Sequence, residues 1–235
     1  DKHELFAWIR SLGVDVQTHL NTALLGPTIP MRQDVELTRL VLEFGADPHW
    51  IPWNGMSVLE HALVRHQNGE SVDLIAQRAT PQKSFWMAAG LGDVATMNSF
   101  FEANGDLSRA AHEDRPDFLA LGSLQLSGIG RPCASELYVM WEALIVAVLN
   151  GRLNAINALL DRGMPPDYAP VWFNQLHFCV SQDFLSVAEL LLARGANADF
   201  KAWPDQQSPR EMAKWLLEHS TNNQAAQLVL SHGTR

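Results

Sequence analysis

Cysteine is scarce in this chain. The two present, Cys133 and Cys179, cannot build a disulfide framework, so a reducing compartment is expected, most simply the cytoplasm. Positive charge is also short, with Lys+Arg 17 against Asp+Glu 26 and a formal charge of −9. Such a surface repels phosphate backbones and lacks the basic footprint of a nucleic-acid binder. Long apolar runs are missing: the longest is Ala143 to Leu149, seven residues, where a bilayer span needs roughly 20. No basic stretch followed by an apolar one opens the sequence, so no signal peptide and no membrane association are expected. Phosphate-binding loops of the G-x-G-x-x-G or G-x-x-x-x-G-K-[ST] kind are absent. Gly122…Gly128-Ile129-Gly130 is glycine-rich but has neither the lysine nor a preceding strand. Nine histidines occur, none in an H-E-x-x-H or cysteine–histidine zinc spacing, which argues against a metal or other cofactor.

What remains is a globular composition, 47% hydrophobic and 18% charged over 235 residues, and within it a repeated pattern. The clearest copy runs from Leu176-His177-Phe178-Cys179-Val180 through SVAELLLARGANAD, Ser186 to Asp199. It reads as two short antiparallel helices followed by a turn. Val187, Leu190 and Leu191 supply the i, i+3, i+4 apolar face of the second helix, and Gly195 ends it. Two helices this short cannot bury that face alone, so neighbours of the same design are expected. The closing turn recurs as Gly13-Val14-Asp15, Gly45-Ala46-Asp47, Asn104-Gly105-Asp106, Gly163…Asp167 and Gly195…Asp199. Gly13 and Gly45 lie 32 residues apart, as do Gly163 and Gly195.

The opening half of the unit recurs too, at 55–63, 84–89, 143–148 and 208–213. Small residues at Ala62, Ala88, Ala147, Cys179 and Ala213 would let paired helices approach closely. Second helices are predicted over Val35–Phe44, Ala95–Ala103, Asn154–Asp161 and Val187–Arg194, with a terminal one inside residues 1–15. At these residues the chain resembles the ankyrin-repeat family, whose period is about 33 and whose units carry T-P-L-H-x-A-A and end in G-A-D. Ser208-Pro209, Gly45-Ala46-Asp47 and Leu176-His177 match that pattern. Glu60, Trp86 and Ile145 replace the motif histidine elsewhere. The resemblance implies an all-α solenoid of stacked helix–turn–helix repeats, about seven units with partial caps, forming a single domain over 1–235. It also gives His177 a backbone hydrogen-bonding role where turn meets helix. A long inserted loop interrupts the pattern at roughly 108–137, either functional or a structural buttress. The degenerate repeats are similar to bacterial-type ones.

No constellation of nucleophile, base and orienting group is legible. Cys179 and His177 stand two positions apart on one helix and point to different sides of it. Catalytic residues are therefore expected to be none, and the protein not to be an enzyme. Eight tryptophans make the sharper signal, because several fall in turns between units. In the family pattern those turns project as fingers beside the exposed face of the first helix, on the concave side. By phase, Trp53, Asn54, Met56, Val64 and Arg65 face that groove in one unit, Tyr138, Val139, Trp141, Leu149 and Asn150 in another, and Trp172 and Phe173 with Ser181 and Gln182 in the next. Trp203 occupies a further turn. Aromatic residues, Met and Arg are what interface cores favour. The expected function is a non-catalytic module, most simply monomeric, that binds a protein partner through this face and the loop. Two alternatives are a regulatory or recruiting domain of a larger enzyme, and an acidic inhibitor or immunity-type protein.

Overall fold

The computed structural model describes residues 2–13, 16–26, 33–80, 82–121, 135–170, 173–201, 207–219 and 222–233. Among these residues the chain is all-α, with fourteen helices and one isolated antiparallel bridge, Phe101 to Leu107. No helix among them is long and apolar enough to cross a membrane. The chain divides into two compact units, Asp1–Gln82 with Phe118–Ser123, and Lys83–Asp117 with Leu124–Arg235.

The first unit holds α1 (Lys2–Ser11), α2 (Gln17–Ala23), α3 (Val35–Glu43), α4 (Val58–Arg65) and α5 (Gly69–Ala76). Polar side chains fix where these helices begin. Asp34 accepts the Glu36 and Leu37 N–H groups, and Ser57 with Glu60 forms a capping box, each such cap contributing about 1 kcal/mol. Asn68 caps α5 through Glu70 N–H at 3.1 Å and donates its own amide to the Gln33 carbonyl at 2.8 Å. Helix α2 packs on α3, α3 on α5 and α4 on α5, around the fully buried Leu24, Leu40, Leu59, Leu63 and Ile75. Phe118 and Leu121 are buried as well, and Asn54 donates to the Ala120 carbonyl at 2.9 Å. The described part of the expected insertion that follows Asp117 is therefore a buttress of this unit.

The second unit holds α6 (Phe85–Leu91), α7 (Val94–Asn98), α8 (Arg109–Glu113), α9 (Glu136–Leu149), α10 (Leu153–Asp161), α11 (Gln175–Gln182), α12 (Leu185–Ala193), α13 (Pro209–His219) and α14 (Gln224–Ser231). Its helices stand in two rows. In one, α6 touches α9, α9 touches α11 and α11 touches α13; in the other, α7 touches α10, α10 touches α12 and α12 touches α14. Antiparallel pairs join the rows at α6–α7, α9–α10, α11–α12 and α13–α14. The small residues Ala88, Ala147, Cys179 and Ala213 are all buried, which is what close helix approach requires.

Helix ends repeat one geometry. Ala46, Met164 and Ala196 each donate a backbone N–H back to Val41, Leu159 and Leu191, five residues earlier, at 2.9, 3.2 and 2.9 Å. The preceding residue has positive φ, as at Gly195, +89°. This is the Schellman closure, which satisfies carbonyls that the helix leaves open.

Two boundaries and one helix face differ from the sequence expectation. Helix α9 begins at Glu136, seven residues before the expected Ala143, because Ser135 caps it by accepting Tyr138 N–H at 3.3 Å. Every residue from Tyr138 to Leu149 is buried, as a helix apolar on all sides must be. Helix α7 stops at Asn98 rather than Ala103: the chain turns back there, with Ser108 N–H donating to Phe100 at 2.7 Å and Glu102 N–H to Asp106 at 2.8 Å. In α12, Leu191 is fully buried but Leu190 is half-exposed, so the core face is rotated towards Val187, Ala188 and Leu191.

Candidate interaction surface

A shallow recess of the second unit lies between α11 and α13. Asn174 starts α11 by accepting His177 N–H at 3.2 Å. The His177 ring spans two successive pairs: Nδ1 lies 2.6 Å from the Asn174 side-chain oxygen and 3.3 Å from the Asn174 backbone N–H, and Nε2 reaches the Gln207 carbonyl at 2.9 Å, just before α13. Burial holds this imidazole below its ordinary pKa, and the Gln207 carbonyl opposes that shift only in part. The turn-helix role expected for His177 is thus what its contacts show.

Two further ties brace the same junction. Asp167 accepts the Asn197 N–H at 3.1 and 2.9 Å and the Asn174 amide at 3.1 Å, linking turns 30 residues apart. Arg210 is gripped by Asp199 at 2.7 Å and donates to the Val229, Leu230 and His232 carbonyls at 2.9, 3.0 and 2.8 Å. Lys201 pairs with Glu211.

On this frame Phe173, His177, Phe178, Ser181 and Met212 line an open recess of about 120 Å³. Phe173 meets Phe178 edge-on at 6.2 Å and His177 at 5.5 Å. The Ser181 hydroxyl donates back to the Phe178 carbonyl at 3.1 Å. The recess is smaller than the roughly 150 Å³ cavity that admits a benzene ring, and well below the size of a small-molecule site. It fits one apolar side chain.

The expected surface residues separate. Phe173 lines the recess. Trp53 is 83% exposed, beside Ile51 at 61%, in the turn before α4. Met56 and Arg65 are half-buried in the same unit, and burial lowers the Arg65 pKa. Val64, Val139, Leu149 and Asn150 are buried, and Tyr138 and Trp141 correct the expectation too: they are 8% and 0% exposed. Because α9 starts early, both sit inside a helix covered on all sides rather than on a finger, with their rings edge to face at 5.3 Å. Trp172 and Trp203 lie outside the described residues, as do Cys133 and the glycines at 122–130. Sequence phasing missed Phe178 and Met212, although the repeat places Met212 in α13 one unit on.

Chemically the surface offers shape and apolar contact. Cys179 is fully buried and burial drives its thiol pKa far up, the opposite of an activated nucleophile. Among the described residues no group of three or more His, Cys, Asp or Glu is gathered as a metal site would need. No protein-family model matches the chain, and no curated protein matches it.

Proposed function

We propose that this chain is an ankyrin-like repeat scaffold acting as a non-catalytic protein-binding module in the cytoplasm, with the α11–α13 recess as an anchor point for its partner. The observation that carries this reading is the recess itself. It opens on first helices of adjacent units, where the repeat phase put the binding face, and it is sized for one side chain. Its frame is held by the hydrogen bonds of His177, Asp167 and Arg210, so a partner would meet a preformed surface and association would lose little conformational entropy. Trp53, at 83% exposure, supplies a second aromatic contact of the kind that dominates interface energetics.

The test is affinity capture from source-cell lysate with wild type, Met212→Glu and Lys214→Glu, each checked for folding by circular dichroism. A charge in the recess should weaken the captured partner by at least about 2 kcal/mol, roughly 30-fold in Kd, while Lys214→Glu leaves it within twofold. A capture profile indifferent to Met212→Glu would refute the recess as the anchor.

A further inference from the structure

The recess is continued along α13 by a shelf that sequence phasing did not single out. Trp215, Leu216 and His219 follow Met212 at i+3, i+4 and i+7, and so share its face of the helix. Trp215 is 54% exposed. One face of its indole is covered by the His219 ring, stacked at 4.7 Å and 26°. His219 is itself held by Nδ1 against the Trp215 carbonyl at 2.7 Å. The His219 ring thus steadies the indole from one side, and about half of the residue stays open to solvent.

Charge around this shelf is one-sided. Glu211 adjoins Met212 and Glu218 adjoins His219 in sequence, and both are exposed. Of the neighbouring cations, Lys201 pairs with Glu211, Arg210 is enclosed by Asp199 and three carbonyls, and Lys214, next to Trp215 in sequence, stands about 100° round the helix from it, whereas Glu211 and Glu218 are the i−4 and i+3 neighbours of Trp215. The chain as a whole carries −9. An aromatic face beside carboxylates attracts a cation. The chain uses this contact within its own structure, with the Arg162 guanidinium 3.7 Å from the Phe101 ring centroid and Arg115 5.3 Å from that of Tyr138.

We infer that the partner is a protein segment that seats an apolar side chain of Leu or Met size in the recess and lays a Lys or Arg over Trp215. The inference rests on the recess being the anchor. Side chains at i and i+3 of a helix stand about 5–6 Å apart, and an extended segment advances about 3.3 Å per residue, so anchor and cation are separated by about two residues.

The test uses ten-residue peptides with a single Leu, Met or Phe, each made with Arg, Gln or Glu two residues from it. Binding is followed by the ¹³C-methyl signal of Met212 and the Trp215 indole N–H signal. The Arg peptides should bind about tenfold more tightly than their Glu counterparts. That ratio should fall below threefold in Trp215→Ala and in 1 M NaCl, and be retained in Trp215→Phe. If Arg, Gln and Glu peptides shift Met212 equally, or the Arg advantage survives Trp215→Ala, the cation shelf is refuted and the recess stands. If no peptide moves the Met212 methyl at millimolar concentration, the recess reading falls and this inference with it. Concentration-dependent dimerisation abolished by Trp215→Ala would make the shelf a self-interface and also overturn the proposal.

Discussion

Acid should loosen the first unit through His66. This side chain has no exposed surface. Its Nε2 lies 2.9 Å from the Leu24 carbonyl, 42 residues away, and Nδ1 has no partner. Burial, with Arg65 and His61 adding repulsion, lowers its pKa from 6.5 to about 4. Because the folded value is the depressed one, the unfolded chain takes up the proton first. Stability is whole above pH 6.5 and declines as pH falls towards 4. At about 1.36 kcal/mol per pH unit the full loss is about 3 kcal/mol, of which about 2 is gone by pH 5. His61, also held at about 4 by burial and Arg65, acts in the same window. Urea titrations of wild type and His66→Asn at pH 7.5 and 5.0 isolate the His66 share: the variant's drop should be smaller by about 2 kcal/mol. Amide exchange across α4 and α5 would show that the effect is in this unit. An NMR midpoint of 6 or higher for the His66 ring, or equal pH slopes in the two proteins, would refute the reasoning.

Leu191→Ala, at a fully buried position, should cost about 2–5 kcal/mol, and Leu190→Ala clearly less; equal losses in urea melts would contradict the observed rotation of α12. Arg115 grips Glu142 at 2.7 Å through two bonds, with the carboxylate side chain 2% exposed. Arg115→Ala should therefore cost about 3–5 kcal/mol by stranding that charge, and adding Glu142→Leu should recover a large part of it in a double-mutant cycle. At Gly195 an added Cβ meets nothing within 4 Å, so Gly195→Ala should lose only the left-handed backbone strain, about 1–2 kcal/mol. At Gly26 the Cβ would come within 2.6 Å of the His66 ring, and thermal melts should show the larger loss there.

Legibility followed how local each signal is. Helices α3, α10 and α12 begin within two residues of the positions set by period and turn glycines, because apolar spacing and Schellman closures are properties of one short segment. Helix α5 had no closing glycine to mark it. Its N-terminus is set by Asn68 and by Gln67, a non-glycine at φ +49°, and a glutamine advertises no such conformation. The start of α9 was lost for a related reason: Ser135 is a capping signal only once the preceding segment is known to stop, and it lay within what reads as a long loop.

The surface was harder to read, since exposure depends on which neighbour covers a helix. Trp53 and Trp141 look alike in sequence, an aromatic ring ahead of an apolar run, yet their exposures are 83% and 0%. Phe178 and Met212 belong to different units, and nothing in either alone says that they border one recess. The same reasoning bears on where the specificity of the proposed binding module would reside. Successive repeats of the second unit are tied by side-chain bonds such as His177 to Gln207 and Asp167 to Asn197. Trp215, 54% exposed on α13, is not one of those ties, and substitutions there are expected to leave the scaffold's stability nearly untouched.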